Sequence, residues 1–70
     1  MTLFVDEKYG VCWTEDPGER HQGRFERWES DEAALLRLAA LGWEPSREWR
    51  QVFPGVRGFR SVGLRRIRGA

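Results

Sequence analysis

Residues 31–41 carry a complete helix signature and are the clearest element of the chain. Ser30 can cap the first turn through its hydroxyl, and the two acidic residues that follow lie where the helix dipole favours negative charge. Gly42 suits the left-handed residue that ends many helices, and Pro45 prevents the helix from resuming. The sequence therefore predicts one short helix, around which the rest of the chain must fold.

The predicted helix is amphipathic. At about 100° per residue, one of its faces collects four apolar residues. This face is expected to pack on the rest of the domain, and its residues are Ala34, Leu35, Leu38 and Leu41. Leu36 lies well off that face, so it is either a flanking residue or a contact for another chain.

The chain before the helix has the character of short strands. Residues 9–14 alternate in the manner of a half-buried strand, and residues 3–5 are placed to pair with them through the turn at 6–10. The polar stretch at 15–23 is typical of a loop. Residues 24–28 form either a further short strand or the extended entry to the helix.

The chain after Pro45 has the pattern of a β-hairpin. Residues 47–53 and 59–68 are its two arms, and the loop between them, residues 54–58, contains one proline and two glycines. Gly63 is placed to host a bulge that would correct the phase of the second arm.

Together these elements predict a single α+β domain over residues 1–70, with the order β-β-(β)-α-β-β. One α-helix packs on a small antiparallel β-sheet. Because one helix covers only one face of such a sheet, the other face must be polar or meet a second subunit.

The small size of the domain limits how it can be stabilised. Cys12 is the single cysteine and His21 the single histidine, so neither an internal disulfide nor a Cys/His zinc site within one chain is expected. We expect no metal and no cofactor. Oligomerisation is then the leading means of support, and a symmetric dimer is its commonest form. The nine aromatic residues are expected to supply much of the core.

No apolar run approaches the roughly 20 residues of a membrane span. The first residues also lack the basic start and the long apolar stretch of a signal peptide. We therefore expect a cytoplasmic protein without a membrane partner.

The segment Gly42-Trp43-Glu44 follows the leucines of the helix and precedes the hairpin. In this respect the chain resembles a family of small bacterial domains of unknown function, in which a helix ends in Gly-Trp-Glu and the chain returns as a strand. The resemblance extends in pattern over residues 32–68, and Pro45 departs from it. It implies a fold, and it implies no activity.

The charge of the chain is divided between its two parts. Residues 1–43 have nine acidic and five basic residues, a net of −4, whereas residues 44–70 have seven arginines and two glutamates, a net of +5. Arginines neutralise phosphates and exposed rings stack on unpaired bases, so the hairpin has the composition of a single-stranded nucleic-acid site. If its aromatic residues face the core, the arginines are an ordinary solvated face. The candidate binding residues are Arg47, Trp49, Arg50, Phe53, Arg57, Phe59 and Arg60.

A second hypothesis from the charge pattern is self-recognition between subunits. The acidic residues that would lie opposite the hairpin arginines are Glu26, Glu29, Asp31 and Glu32. The alternative is that such pairs form within one chain, where exposed ion pairs contribute about 0–1 kcal/mol each. A tryptophan on the helix-free sheet face, Trp13 or Trp49, would mark an interface, whereas Trp43 is expected in the core.

Nothing in the sequence assembles a catalytic site. Cys12 and His21 could form a thiolate–imidazole pair, but their spacing supplies neither an orienting group nor an oxyanion hole. Adjacent carboxylates fit turns and the helix start. The sequence therefore favours a non-enzymatic interaction module that self-associates, as a dimer, or binds another protein. The alternative is a protein that binds single-stranded RNA or DNA through the arginine-rich hairpin.

Overall fold

The computed structural model describes residues 1–16 and 25–69, which form one helix and six strands. The elements are β1 (Thr2–Asp6), β2 (Val11–Glu15), β3 (Glu26–Arg27), α1 (Asp31–Ala40), β4 (Trp43–Pro45), β5 (Arg50–Gln51) and β6 (Phe59–Arg66). All strand pairs are antiparallel, in the order β3-β2-β1-β6-β4, and β5 also pairs with β6. The predicted α+β class, with one helix and an antiparallel sheet, is confirmed. Strand β4 was not predicted.

Both ends of α1 follow the local sequence signals. The Ser30 hydroxyl accepts a hydrogen bond from the backbone N–H of Ala33 at 3.0 Å. At the other end Gly42 takes the left-handed conformation with φ of 91° and donates its N–H to the carbonyl of Ala39 at 3.0 Å. The helix ends at Ala40, and Leu41 is its C-cap.

Strand β1 is the central strand of the sheet. It pairs with β2 through the predicted hairpin, so that Leu3 lies opposite Thr14, and with β6 on its other edge, so that Leu3 also lies opposite Val62. The β1–β2 turn closes at Gly10, whose φ of 63° is favourable only for glycine. This turn lies where the sequence predicted it.

Strand β6 pairs along both of its edges. The predicted hairpin is present, because Arg50 lies opposite Ser61, but β5 is only two residues long. The bulge predicted at Gly63 is wrong: β6 keeps one register against β1 from Phe59 to Gly63. The irregular backbone lies across from Gly63, in residues 46–49 between β4 and β5. A Cβ on Gly63 would lie 3.2 Å from Oγ of Ser46, so glycine permits this close approach.

The core lies between α1 and one face of the sheet, and its residues are small or aliphatic. The buried residues are Leu3, Val5, Cys12, Ala34, Val62 and Leu64. None of the nine aromatic side chains is fully buried, so the prediction of an aromatic core is wrong. The core between one short helix and the sheet is small, so the large rings pack only at its edges.

Three tryptophans border this core. Trp28, Trp43 and Trp49 are half-buried and pack against it. Trp43, predicted to be buried, keeps one side toward the Arg66 guanidinium, which lies 4.4 Å from its ring centroid. Leu41, predicted to face the core, is 69% exposed because it lies beyond the last turn of α1. No helix in the described part of the chain is long and apolar enough to cross a membrane.

Candidate interaction surface

The two faces of the sheet are occupied by different kinds of residue. Along β1, Leu3 and Val5 are buried under α1, so the side chain of Phe4 between them projects from the opposite face. Phe4 lies opposite Trp13 on β2, which places Trp13 on the same helix-free face. Side chains along β2 therefore alternate in the same way: Cys12 faces the core and Trp13 faces away from it.

Five aromatic rings form a continuous cluster on the helix-free face. We call them the aromatic face: Phe4, Trp13, Phe25, Phe53 and Phe59. Phe4 stacks on Trp13 with ring centroids 5.5 Å apart and planes 10° from parallel. Trp13 contacts Phe25 at 5.1 Å and Phe59 at 6.0 Å, and Phe59 meets Phe53 edge-on at 5.6 Å. These rings come from three strands and two connecting segments, and each touches at least one other.

The aromatic face is open to solvent. Phe25 is 66% exposed and Phe53 is 57% exposed, while the other three rings are half-buried by their neighbours. Soluble monomers rarely expose large contiguous apolar patches, and those that occur often mark a binding surface. The sequence predicted that a tryptophan on the helix-free face would mark an interface. Trp13 lies on that face.

A polar groove adjoins the aromatic face on the same side of the sheet. We call it the arginine groove; its lining residues are Thr2, Arg47, Glu48, Arg50, Ser61 and Gly63, and its volume is about 240 Å³. Among the described residues, no carboxylate lies within 4 Å of the guanidinium of Arg47 or Arg50. With Glu48 included, the groove carries one net positive charge.

Two of the predicted site residues lie on the helix side instead. Arg60 donates to both Asp31 carboxylate oxygens, at 2.6 and 2.9 Å, and to Glu7 at 3.1 Å. Its guanidinium also lies 5.5 Å from the ring centroid of Trp49. These hydrogen bonds, chiefly the one to Asp31, raise the pKa of Arg60 further above its usual range. Arg60 therefore anchors the helix to the sheet, and Trp49 packs beside its guanidinium and against the core.

The other five predicted residues lie in the aromatic face, in the arginine groove or in the hairpin loop. Phe53 and Phe59 belong to the aromatic face, and Arg47 and Arg50 to the arginine groove. Arg57 is exposed in the turn that precedes β6. A regular strand over the predicted arm, residues 47–53, would place Arg47, Trp49 and Phe53 on one face. The predicted length of this arm is wrong, because the regular strand in this region covers only residues 50–51.

The acidic partners proposed for self-recognition are partly used within the chain. Asp31 binds Arg60, and Glu26 pairs with Arg37 at 3.1 Å. The Asp31–Arg60 pair is the intrachain alternative, whereas the partner of Glu26 belongs to α1 and not to the hairpin. The remaining two, Glu29 and Glu32, are exposed near the start of α1.

Cys12 is the buried thiol of the core. Burial raises its pKa, and the nearby Arg37 offsets part of that rise. It borders a cavity of about 310 Å³ between β2 and α1, whose lining includes the Arg37–Glu26 pair. His21, the base proposed for Cys12, lies outside the described residues. Within residues 1–16 and 25–69, no group of three or more His, Cys, Asp or Glu side chains converges in the manner of a metal site.

Sequence reasoning missed Phe4 and Phe25 as members of the surface. A signal for Phe4 was present, because it stands between two aliphatic residues and must therefore face away from them in a strand. Phe25 depends on the pairing of β3 with β2, which no local pattern specifies.

No protein-family model, curated protein or solved structure matches this chain. The resemblance carried by Gly42-Trp43-Glu44 therefore stays a prediction. The aromatic face and the arginine groove are the two candidate binding surfaces of this chain.

Proposed function

We propose that this protein is a non-enzymatic interaction module that self-associates through its aromatic face. The observation that carries the proposal is the cluster of five contacting rings on the sheet face that α1 leaves open. A few residues, most often tryptophan, tyrosine or arginine, carry most of the binding energy in protein interfaces. Here Trp13 lies in the cluster, and Arg47 and Arg50 lie beside it.

The shape of the surface supports a protein partner. The described sheet has six strands, with about 4.8 Å between neighbouring strands and about 3.4 Å per residue along each, and its helix-free face offers one continuous surface. Two such faces pack about 10 Å apart with their side chains interdigitated, as in a β-sandwich. The area available on so small a sheet is at the low end for specific interfaces, so we expect a dimer of micromolar affinity.

A specific observation favours a second candidate function, the binding of single-stranded nucleic acid. Arg47 and Arg50 lie on the same face as the rings, next to the hydroxyls of Thr2 and Ser61. Stacking on the rings together with phosphate contacts in the groove is the arrangement by which proteins hold unpaired bases. Such binding weakens steeply as salt is raised, because each phosphate contact releases counterions.

Sedimentation velocity over a range of protein concentrations tests the proposal. We expect a monomer–dimer equilibrium, and we expect the double variant Phe25→Ser/Phe53→Ser to raise the dissociation constant about tenfold or more. Tyr9→Ser is the matched control, because Tyr9 is 70% exposed but lies in the β1–β2 turn, outside the cluster. It should leave the dissociation constant unchanged.

The same samples with a short mixed-sequence oligonucleotide separate the two candidate functions. A chain that remains monomeric at all concentrations, yet forms a complex with the oligonucleotide that dissociates as salt rises, would replace the first proposal by the second. A dimer that ignores the oligonucleotide at low and high salt supports self-association.

A further inference from the structure

We infer that the arginine groove is a binding site for a terminal phosphate group, carried by a small molecule or by the end of a nucleic-acid strand. The groove lies within one copy of the chain, so this inference does not rest on the proposed self-association. It also goes beyond the second candidate function, because it names the kind of phosphate that the groove selects.

The floor of the groove is the helix-free face of the sheet around Gly63. Val62 is buried under α1, so its neighbours Ser61 and Gly63 face away from the core. Thr2 lies opposite Gly63 on β1 and projects from the same face, because Leu3 beside it is buried. Since Gly63 has no side chain, space remains beside the two hydroxyl groups.

Two arginines lie over this floor. Arg50 lies opposite Ser61 on β5 and projects from the same face. The Arg47 side chain reaches Gly63, since its Cδ would be 3.9 Å from a Cβ placed on that residue. In the described part of the chain, neither these guanidinium groups nor the two hydroxyl groups form a hydrogen bond with another residue. The groove therefore brings together four groups whose N–H and O–H donors no described residue occupies.

A second group of arginines, near the end of the chain, differs from the groove. Arg65, Arg66 and Arg68 line an open depression together with Glu44. Arg65 donates to the Glu44 carboxylate at 3.2 Å, and the Arg66 guanidinium lies 4.4 Å from the ring centroid of Trp43. Two of these three cations are thus already engaged within the chain, whereas both cations of the groove are available to a ligand.

The size of the groove indicates that it holds a head group. Its volume of about 240 Å³ lies below the roughly 300–1,000 Å³ of sites that enclose a whole drug-sized ligand. It is large enough for a phosphate group with part of its hydration shell, because one water occupies about 30 Å³ in the liquid.

The donors of the groove favour a phosphate that ends a molecule. A guanidinium engages two oxygens at once through its planar fork. A phosphodiester has two non-bridging oxygens, which a single arginine can engage, whereas a terminal phosphate has three and carries about −1.5 to −2 charge near pH 7. Two arginines with two hydroxyl groups therefore match the terminal group better than the diester.

Glu48 is the anionic residue of the groove lining, and it limits the affinity. It is exposed, and with it the groove carries one net positive charge, so we expect millimolar binding of inorganic phosphate. Removal of the Glu48 charge should strengthen phosphate binding, whereas removal of an arginine should weaken it. Opposite signs from neighbouring residues would not arise if these residues only supported the fold.

Titration of the unaltered chain with inorganic phosphate, followed by two-dimensional ¹⁵N–¹H NMR, tests the site. Sodium chloride keeps the ionic strength constant, so that screening does not change. We expect saturable shifts of the amide signals of residues 47–50 and 61–63. Arg47→Gln/Arg50→Gln should raise the dissociation constant about tenfold or more, and Glu48→Gln should lower it about threefold. Dispersed amide signals will show that each variant is folded.

The double variant Arg57→Gln/Arg68→Gln is the matched control. It removes as much charge as Arg47→Gln/Arg50→Gln, but from exposed residues of the hairpin loop and of the second arginine group. Its dissociation constant should stay close to that of the unaltered chain. Equal losses in the two double variants, or shifts that do not saturate, would show that phosphate meets only a positive surface and would overturn the site.

A short oligonucleotide, with and without a 5′-phosphate, distinguishes the two sources of the phosphate. If the phosphorylated form binds the groove more tightly than inorganic phosphate does, the ligand is the end of a nucleic-acid strand. Equal binding of the two assigns the groove to a small phosphorylated molecule. If the oligonucleotide binds the groove equally well without its 5′-phosphate, the selection of a terminal phosphate is wrong.

The test of the groove is separate from the test of self-association. The titration is repeated with Phe25→Ser/Phe53→Ser, which alters the aromatic face and leaves the groove intact. A chain that stays monomeric but binds phosphate contradicts the proposed self-association and supports this inference. If the groove residues respond to phosphate in neither the unaltered chain nor this variant, this inference alone is overturned.

Discussion

The two faces of the sheet in this protein use the same strands for different purposes. Under α1, Leu3, Val5 and Val62 are almost completely removed from solvent, and all of them are aliphatic. On the other side, the rings of Phe4 and Trp13 stack on each other and stay partly exposed. A single ten-residue helix can enclose small side chains but not nine aromatic ones. Five of the nine aromatic rings are therefore left on the open face, where only another surface can cover them.

The largest difference between the two faces is expected from neighbouring residues of β1. Leu3→Ala removes a buried side chain and should lower the free energy of unfolding by about 2–5 kcal/mol. Phe4→Ala removes a ring that is already half exposed, so it should cost the monomer clearly less while it weakens the dimer. Urea unfolding at a concentration well below the dissociation constant of the dimer gives the monomer values.

If Leu3→Ala leaves too little folded protein to measure, Leu3→Val removes only one methylene at the same position. Its effect on the free energy of unfolding can still be compared with that of Phe4→Ala. An equal loss of monomer stability for Phe4→Ala and Leu3→Ala would show that the aromatic face is a second core and not a docking surface.

A smaller difference is expected between two arginines on neighbouring strands. Arg60→Gln breaks the hydrogen bonds to Asp31 and Glu7 beneath Trp49, and we expect a loss of about 1–3 kcal/mol in the free energy of unfolding. Arg50→Gln alters an exposed residue of the groove and should change it by less than about 0.5 kcal/mol. Thermal unfolding of both variants side by side measures the difference. Equal effects would contradict the division of the hairpin arginines into structural and surface sets.

The smallest effect concerns Cys12 on the covered face. Burial raises the pKa of its thiol above the value it has in the unfolded chain, so the folded state holds the proton more tightly. Its contribution to stability is therefore complete at neutral pH and is lost as the pH rises through the thiol pKa of the folded state. Between about pH 8 and pH 10, around the usual pKa of a thiol, the free energy of unfolding should fall more for the unaltered chain than for Cys12→Ala. Identical pH dependence in the two would contradict this assignment.

The parts of the fold that depend on neighbouring residues could be predicted from the sequence. The Ser30 cap, the Gly42 terminus and the β1–β2 hairpin are each specified within about a dozen residues, and the structure has all three. The prediction that one helix would cover only one face of the sheet also needed only the count of helices.

The composition of that face could not be predicted, because it depends on pairing between distant residues. Thr2 lies opposite Gly63, and only this register shows that Phe4 and Phe59 lie on the same side. A bulge at Gly63 would have moved Phe59 to the other face, since one residue of slip reverses every side chain. Likewise, the separate roles of Arg50 and Arg60 depend on the face of the sheet from which each side chain projects. Their residue type does not indicate that face.

The central position of β1 has a consequence for how the chain is made. Strand β1 leaves the ribosome before β6, which lies more than fifty residues later and completes one of its edges. Until then the β1 backbone has unpaired N–H and C=O groups along that edge, and Leu3 lacks its core neighbour Val62. A nascent chain that stalls before Phe59 would thus present an open strand edge together with exposed rings. Rapid completion of synthesis, or a chaperone on the emerging chain, would protect it from aggregation.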